Sequence, residues 1–244
     1  MEDSTLKKEA IKMEDNNASK NKTAKTSEKF SKMQTLTLTG MFAAIILLLN
    51  FTPFLGFIIL PMGRATTLHI PVIIGSILLG PKVGAGLGFL FGFCSFLTAS
   101  TAPMLSSFVF SPLIPVPGTD SGSPWALVVA FVPRILLGIV PWYLYKLLGR
   151  ITPERFQMVH LPVTAIVSAA FHTFLVMFLW YSLFRDPWAY ARGETVGEMF
   201  AVVMFIISTN GLAEAIVAAI LVPAVSVPLF VVARRYVVRQ STGV

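Results

Sequence analysis

The sequence predicts an all-α membrane protein of six transmembrane helices with both termini in the cytosol. Three observations carry that prediction. First, 55% of the 244 residues are hydrophobic and 13% are charged, whereas soluble domains carry about 25% charge. Second, the apolar residues gather into runs near the roughly 20 residues that cross a bilayer as helix. Third, the basic residues are unevenly placed. With the N-terminus inside, the cytosolic segments hold eight lysines before residue 33, then Lys82, Lys146, Arg150, Arg155, Arg234, Arg235 and Arg239. The outside holds Arg64, Arg185 and Arg192, while Arg134 falls within a span. Positive residues favour the cytosolic side, so this asymmetry supports six spans.

Residues 1–33 read as a disordered, charged cytosolic tail, because lysines alternate there with Glu2, Asp3, Glu9, Glu14, Asp15 and Glu28 among Asn, Ser and Thr. No small-residue cleavage site follows a short apolar core, so the segment does not read as a signal peptide. The membrane domain is placed at 34–236 and a C-terminal cytosolic tail at 237–244. The first span is predicted from Thr35 to Phe54. Pro53 and the segment Gly56–Gly63 then leave the helix, and a short second span runs from Thr66 to Gly80. Pro81-Lys82 reads as a tight cytosolic turn into a third span over Val83–Ala99. The Ser-, Thr-, Pro- and Gly-rich stretch Ser100–Ser123 reads as a loop. A fourth span covers Pro124–Leu148 and a fifth Leu161–Phe184. A polar interruption follows at Arg185–Glu198, and a sixth span runs from Phe200 to Val232, bent by Pro223 and Pro228.

Gly84, Gly88 and Gly92 recur every four residues, spacing that lets another backbone approach. Gly40 and Ala44 repeat the spacing on the first span, where packing inside the bundle and packing on another subunit are equally open. Trp180 and Tyr181 read as interfacial anchors.

Polar residues inside spans are costly and usually functional. The candidates are Asn50, His69, Arg134, His172, Asn210 and Glu214. Arg134 stands ten residues into its span, about 15 Å from the outer end. Asn210 and Glu214 are one turn apart and share a face. Together they suit a polar pocket open to the outside. Arg134 and Glu214 equally suit a structural ion pair, His69 a helix cap or a place at the headgroup level, Asn50 an interhelical hydrogen bond, and His172 a hydrogen-bonded core residue. The single Cys94 excludes an internal disulfide, and no His or Cys cluster has metal-ligand spacing. There is no Walker A loop, HExxH or GxSxG. An intramembrane enzyme using His172 and Glu214 as acid and base is conceivable, without support from spacing; a scaffold without a ligand is the third class.

The segments TTLHIPVIIGSILLGPKVGAGLGFLFGFCSF, VPRILLGIVPWYLYKLL and NGLAEAIVAAILVPAV resemble the substrate-binding S components of energy-coupling factor (ECF) vitamin transporters, over about residues 35–235. The resemblance implies a subunit that captures a vitamin from outside and associates with one membrane-embedded T component and two cytosolic ATPases. ATP would be used by those partners, with no cofactor in this chain. It also implies that Gly40 and Ala44 pack on the T component, and that FLGFIILPMGRATT acts as a lid with Arg64 and Thr66 at its base. Within the family the resemblance points to pantothenate, whose carboxylate suits Arg134 or His69 and whose amide or hydroxyls suit Asn210. Riboflavin and cobalamin are alternative cargoes.

Overall fold

The computed structural model describes residues 32–52, 55–60, 63–152 and 157–242. The charged tail over residues 1–31 lies outside them. The described residues from Met41 onward form one compact unit. The first helix, α1, runs from Lys32 to Phe51. A short antiparallel hairpin follows, β1 (Phe57–Leu60) paired with β2 (Gly63–Thr66) in the register Phe57 to Thr66 and Leu60 to Gly63. The all-helical expectation is thus met except in the first loop, where the predicted lid is a hairpin. Then come α2 (His69–Leu79), α3 (Pro81–Thr101), α4 (Trp125–Ile151) and α5 (Gln157–Arg192). The last hydrophobic stretch contains α6 (Val196–Ile206), a π-helical turn (Ile207–Gly211) and α7 (Leu212–Thr242).

Among the described residues, five helical stretches are long and apolar enough to cross a membrane: α1, α3, α4, α5 and α6 with α7. The sixth apolar helix, α2, has 11 residues, a rise of about 16 Å against a hydrocarbon core near 30 Å. It is also the most enclosed, with nine consecutive buried residues from His69 to Ile77. A helix apolar on every side belongs inside a bundle.

Two segments depart from the sequence expectation for visible reasons. The fifth helix does not stop at Phe184. It continues to Arg192 because Trp180, Phe184 and Trp188, four residues apart, are all buried. They pack on the 102–124 connection, with Phe108 at 5.8 Å from Phe184 and 6.2 Å from Trp188. Trp180 is therefore a core residue and not an interfacial anchor. The polar interruption shrinks to the turn at Gly193 (φ 66°). There Thr195 caps α6, accepting from the Glu198 amide while the Glu198 carboxylate accepts from Thr195, a capping box. The other departure is the π turn, which breaks the last span in its middle. The 102–124 connection is itself ordered, with a 3-10 turn at Ser107–Val109 whose three residues are buried.

The α3–α4 pair is the closest contact of the bundle. Gly80 reaches φ 93° to end α2, and Pro81 begins α3 at once, a position where its missing amide hydrogen is not needed. Across the interface a Cβ on Gly84 would overlap the Gly138 carbonyl, and one on Gly88 would overlap the Arg134 carbonyl. A Cβ on Gly92 would stand 2.9 Å from the Ala130 carbonyl oxygen. The glycine stripe of α3 thus lies backbone to backbone along the 130–134–138 row of α4. Gly88→Ala should lower the thermal unfolding midpoint of the detergent-solubilised protein, by the roughly 1–3 kcal/mol of an overpacked site. Gly86→Ala, where an added Cβ meets nothing within 4 Å, should not; equal midpoints for both variants would refute the contact.

Candidate functional site

Two hydrophobic clusters divide the bundle. One gathers Phe42, Ile46, Leu68, Ile73, Phe91 and Leu137, and the other Phe108, Val129, Val176, Trp180, Trp188 and Ile206. A cavity of about 260 Å³ lies where they meet, with Leu68 and Phe91 on one side and Val176, Met177, Trp180, Trp188 and Ile206 on the other. Its polar lining includes Asn50, Thr66, Ser95, Thr98, Ser107, Arg134, His172, Thr173, Asn210 and Glu214. Of the eight residues singled out in the sequence, six line this cavity. His69 does not, although it is buried with neither ring nitrogen partnered. The Arg64 side chain lies outside the described residues.

Arg134 is placed by its own neighbour. Pro133 has no amide hydrogen, so the Val129 carbonyl, four residues earlier, loses its helical donor. Nη1 of Arg134 donates to that carbonyl at 2.7 Å. The guanidinium carbon lies 5.4 Å from the centre of the Phe91 ring and 5.1 Å from that of Phe110, where a cation is attracted to the ring faces. Nε has no partner. Among the described residues no ion pair joins Arg134 to Glu214; the ion pairs found are Arg185–Asp186 and Arg192–Glu194, near the far end of α5. The structural ion pair that the sequence left open is not formed.

Glu214 is occupied differently. One carboxylate oxygen accepts the Thr66 amide at 2.9 Å and the other accepts the Thr173 hydroxyl at 2.8 Å. It therefore ties the end of the hairpin to α5 and α7. Each carboxylate oxygen keeps a lone pair for another donor. Asn210 sits in the π turn beside it, its amide oxygen accepting from Thr209 at 3.2 Å. Wide helical turns of this kind are frequent at functional sites because they displace a residue from the regular spiral. Asn50 accepts from Thr98 at 3.1 Å, while its Nδ2 has no partner. The indole nitrogens of Trp180 and Trp188 are likewise buried without partners, their rings edge to face at 4.8 Å. Both tryptophans and Thr173 were missed in the sequence. The signal for the tryptophans was the continuation of the 180–184–188 aromatic row past Phe184.

Among the described residues no group of three or more His, Cys, Asp or Glu could hold a metal ion. A partly open cavity lined by apolar and polar side chains in similar number, inside a bundle of membrane-length helices, suits an integral membrane protein that binds a small solute. Residues 34–226 match the family described as ECF transporter, substrate-specific component, and the chain belongs to that family. It is 37% identical over 207 residues to the "Pantothenic acid transporter PanT" of Lactococcus lactis subsp. cremoris (strain MG1363), across 84% of this chain and 98% of that protein. It is 28% identical over 212 residues to the "Pantothenate transporter PanT" of Leuconostoc mesenteroides subsp. mesenteroides, across 84% of this chain and 96% of that one. The chain is accordingly a multi-pass membrane subunit that captures a transported vitamin, and not an enzyme. Membership implies a T component and ATPases as partners.

Because Glu214 holds the hairpin by a backbone amide, Glu214→Ala should quicken amide hydrogen exchange across residues 57–67 at least tenfold. Exchange in α3 and α4 should stay unchanged. Unaltered hairpin exchange would mean that the hairpin is held by other contacts.

Proposed function

We propose that this protein captures pantothenate from outside the cell in the cavity beside Arg134 and delivers it through a shared T component and two ATPase subunits. The observation that carries this reading is the buried Arg134 guanidinium. It lines the cavity, is flanked by two aromatic rings, and makes no salt-bridge contact among the described residues, Glu214 lining the same cavity without reaching it. A buried cation of this kind needs an anion, and pantothenate brings a carboxylate. The amide and two hydroxyls of pantothenate suit Asn50, Thr66, Asn210 and the remaining lone pairs of Glu214, with His172 and the two indole N–H groups as further contacts. The names of the two relatives support the same cargo. Riboflavin offers no carboxylate to Arg134, and cobalamin is far larger than about 260 Å³.

Counting α2, the helices make six membrane segments, with α6 and α7 forming the last. In this reading both termini face the cytosol and residues 1–33 form a cytosolic tail. The chain itself uses no cofactor, and ATP is consumed by its partners. Gly40 and Ala44 are both exposed on α1, which suits docking of that helix face on the T component.

Binding of pantothenate to the purified chain is read from Trp180 and Trp188 fluorescence. Arg134→Ala and Asn210→Ala should each weaken it at least tenfold, about 1.4 kcal/mol, in a protein that stays folded. The analogue in which the carboxylate is reduced to an alcohol should bind the parent at least tenfold more weakly than pantothenate does, and Arg134→Ala should no longer tell the two apart. Persistent discrimination by Arg134→Ala would remove the guanidinium from the carboxylate site. Separately, the Gly40→Leu, Ala44→Leu double variant should bind pantothenate normally yet fail to support its uptake by cells. Normal uptake would exclude this face of α1 from the partner contact.

A further inference from the structure

Phe110 carries no polar side-chain group and lies in the 102–124 connection, directly after the 3-10 turn Ser107–Val109. Its side chain nevertheless lines the cavity, and the centre of its ring is 5.1 Å from the guanidinium carbon of Arg134, against 5.4 Å for Phe91. The two rings come from different parts of the fold. Phe91 belongs to α3, one turn along from the Gly88 that meets the Arg134 backbone. Phe110 comes from outside the long helices, so the connection reaches the charged group of the site.

An arginine side chain is long and rich in rotamers. The bond from Nη1 to the Val129 carbonyl at 2.7 Å fixes one point of the fork and leaves the plane free to turn about it. A ring face lying against the guanidinium removes that freedom, provided that the ring is itself held. Phe110 is held from both sides. Its chain neighbours Val109 and Ser111 are fully buried. The Phe110 amide donates to the Ser107 carbonyl at 3.0 Å. The Ser111 hydroxyl bonds that of Ser100, near the end of α3, at 2.8 Å and accepts from the Leu113 amide at 3.2 Å. From α5 the Trp180 ring meets Phe110 at 6.1 Å with the planes 70° apart, and Trp180 packs in turn on Trp188. Phe110 thus couples the aromatic row of α5 to Arg134. Locking of this kind holds a binding group in its productive direction before the ligand arrives, which lowers the cost of binding.

We propose that Phe110 is a positioning residue for solute recognition, holding the Arg134 guanidinium in the direction that meets the carboxylate of the solute. The inference rests on the reading of the cavity as a site for pantothenate. Phe110 acts through Arg134, so the effect of removing its ring falls on the carboxylate contact and spares the amide and hydroxyl contacts. A phenylalanine that only filled space, or that touched the solute directly, would serve a charged solute and its neutral analogue alike.

Calorimetric titration of the purified full chain with pantothenate and with its alcohol analogue tests the role. Phe110→Leu, which keeps a bulky apolar side chain without the ring, should weaken pantothenate binding at least fivefold and change binding of the alcohol by less than twofold. In the Arg134→Ala background the same substitution should change pantothenate binding by less than twofold, since two residues acting as one unit do not add. Equal losses for both ligands, no loss for either, or a further fivefold loss in the absence of Arg134 would overturn the proposal. A second measurement needs no solute. In chain carrying isotope-labelled arginine, the Nε–H magnetic resonance of Arg134, identified by its disappearance in Arg134→Lys, should move downfield in Phe110→Leu as the shielding by the ring is lost. An unmoved resonance would show that the ring does not hold the guanidinium. If the parent fails to bind pantothenate, or binds the alcohol as well, the cargo assignment falls, and the resonance alone then decides the role of Phe110.

Discussion

The structure depends on a carbonyl that Pro133 leaves without a donor. The sequence Val-Pro-Arg on α4 removes one helical hydrogen bond and supplies, in the next residue, the group that replaces it. Burying a guanidinium is costly, and burying an orphaned carbonyl is costly as well. Joining the two satisfies the carbonyl and fixes the direction of the arginine. The backbone at the same residue is pressed against Gly88 of α3, so the helix contact and the charge are positioned by one stretch of chain. Phe91, one turn along from Gly88, then comes to lie over the guanidinium. A lysine at 134 would keep the charge but lose the planar fork that bonds the carbonyl while presenting its remaining N–H groups.

The opposite wall is organised by a second irregularity. The π turn at Ile207–Gly211 divides the last span and carries Asn210. Gly211 within it faces Thr173, whose Cγ2 would lie 3.2 Å from an added Cβ. Thr173 in turn bonds Glu214. The hairpin, α5 and α7 thus meet at one carboxylate, and the wide turn beside it brings an amide to the same cavity. The charged groups of the site are not paired with one another. Each is held by neutral partners, which leaves a positive and a negative group lining one space.

Much of this was legible in the sequence, because polar residues within apolar runs are conspicuous. Asn50, Arg134, His172, Asn210 and Glu214 stand out against their surroundings, and the i, i+4 rule put the last two on one face. The glycine stripe announced a close helix contact, although its partner, the 130–134–138 row of α4, carries no comparable signal because a carbonyl oxygen leaves no mark in sequence. The hairpin was hidden because FIIL is an unbroken apolar run and GRAT, four residues opening on Gly, is too short to carry a strand pattern. The π turn was hidden because one extra residue per turn scarcely disturbs an almost continuous apolar run. His69 stands out as a polar group at a span end, yet α2 is so enclosed that its buried residues need not reach the cavity. Trp180 was misplaced for a related reason: charged residues after Phe184 suggested an interface, while the aromatic spacing continued through them.

The position of the cavity between two hydrophobic clusters has a mechanical meaning. The two halves of the core are joined least well where the solute sits, so the bound solute becomes a missing piece of interior that both halves share. Affinity and rigidity are then one quantity seen twice. A ligand at 100 times its Kd adds about 2.7 kcal/mol to the stability of the folded form, and here that energy falls on the seam. The loaded subunit therefore withstands unfolding better than the empty one by the free energy of binding.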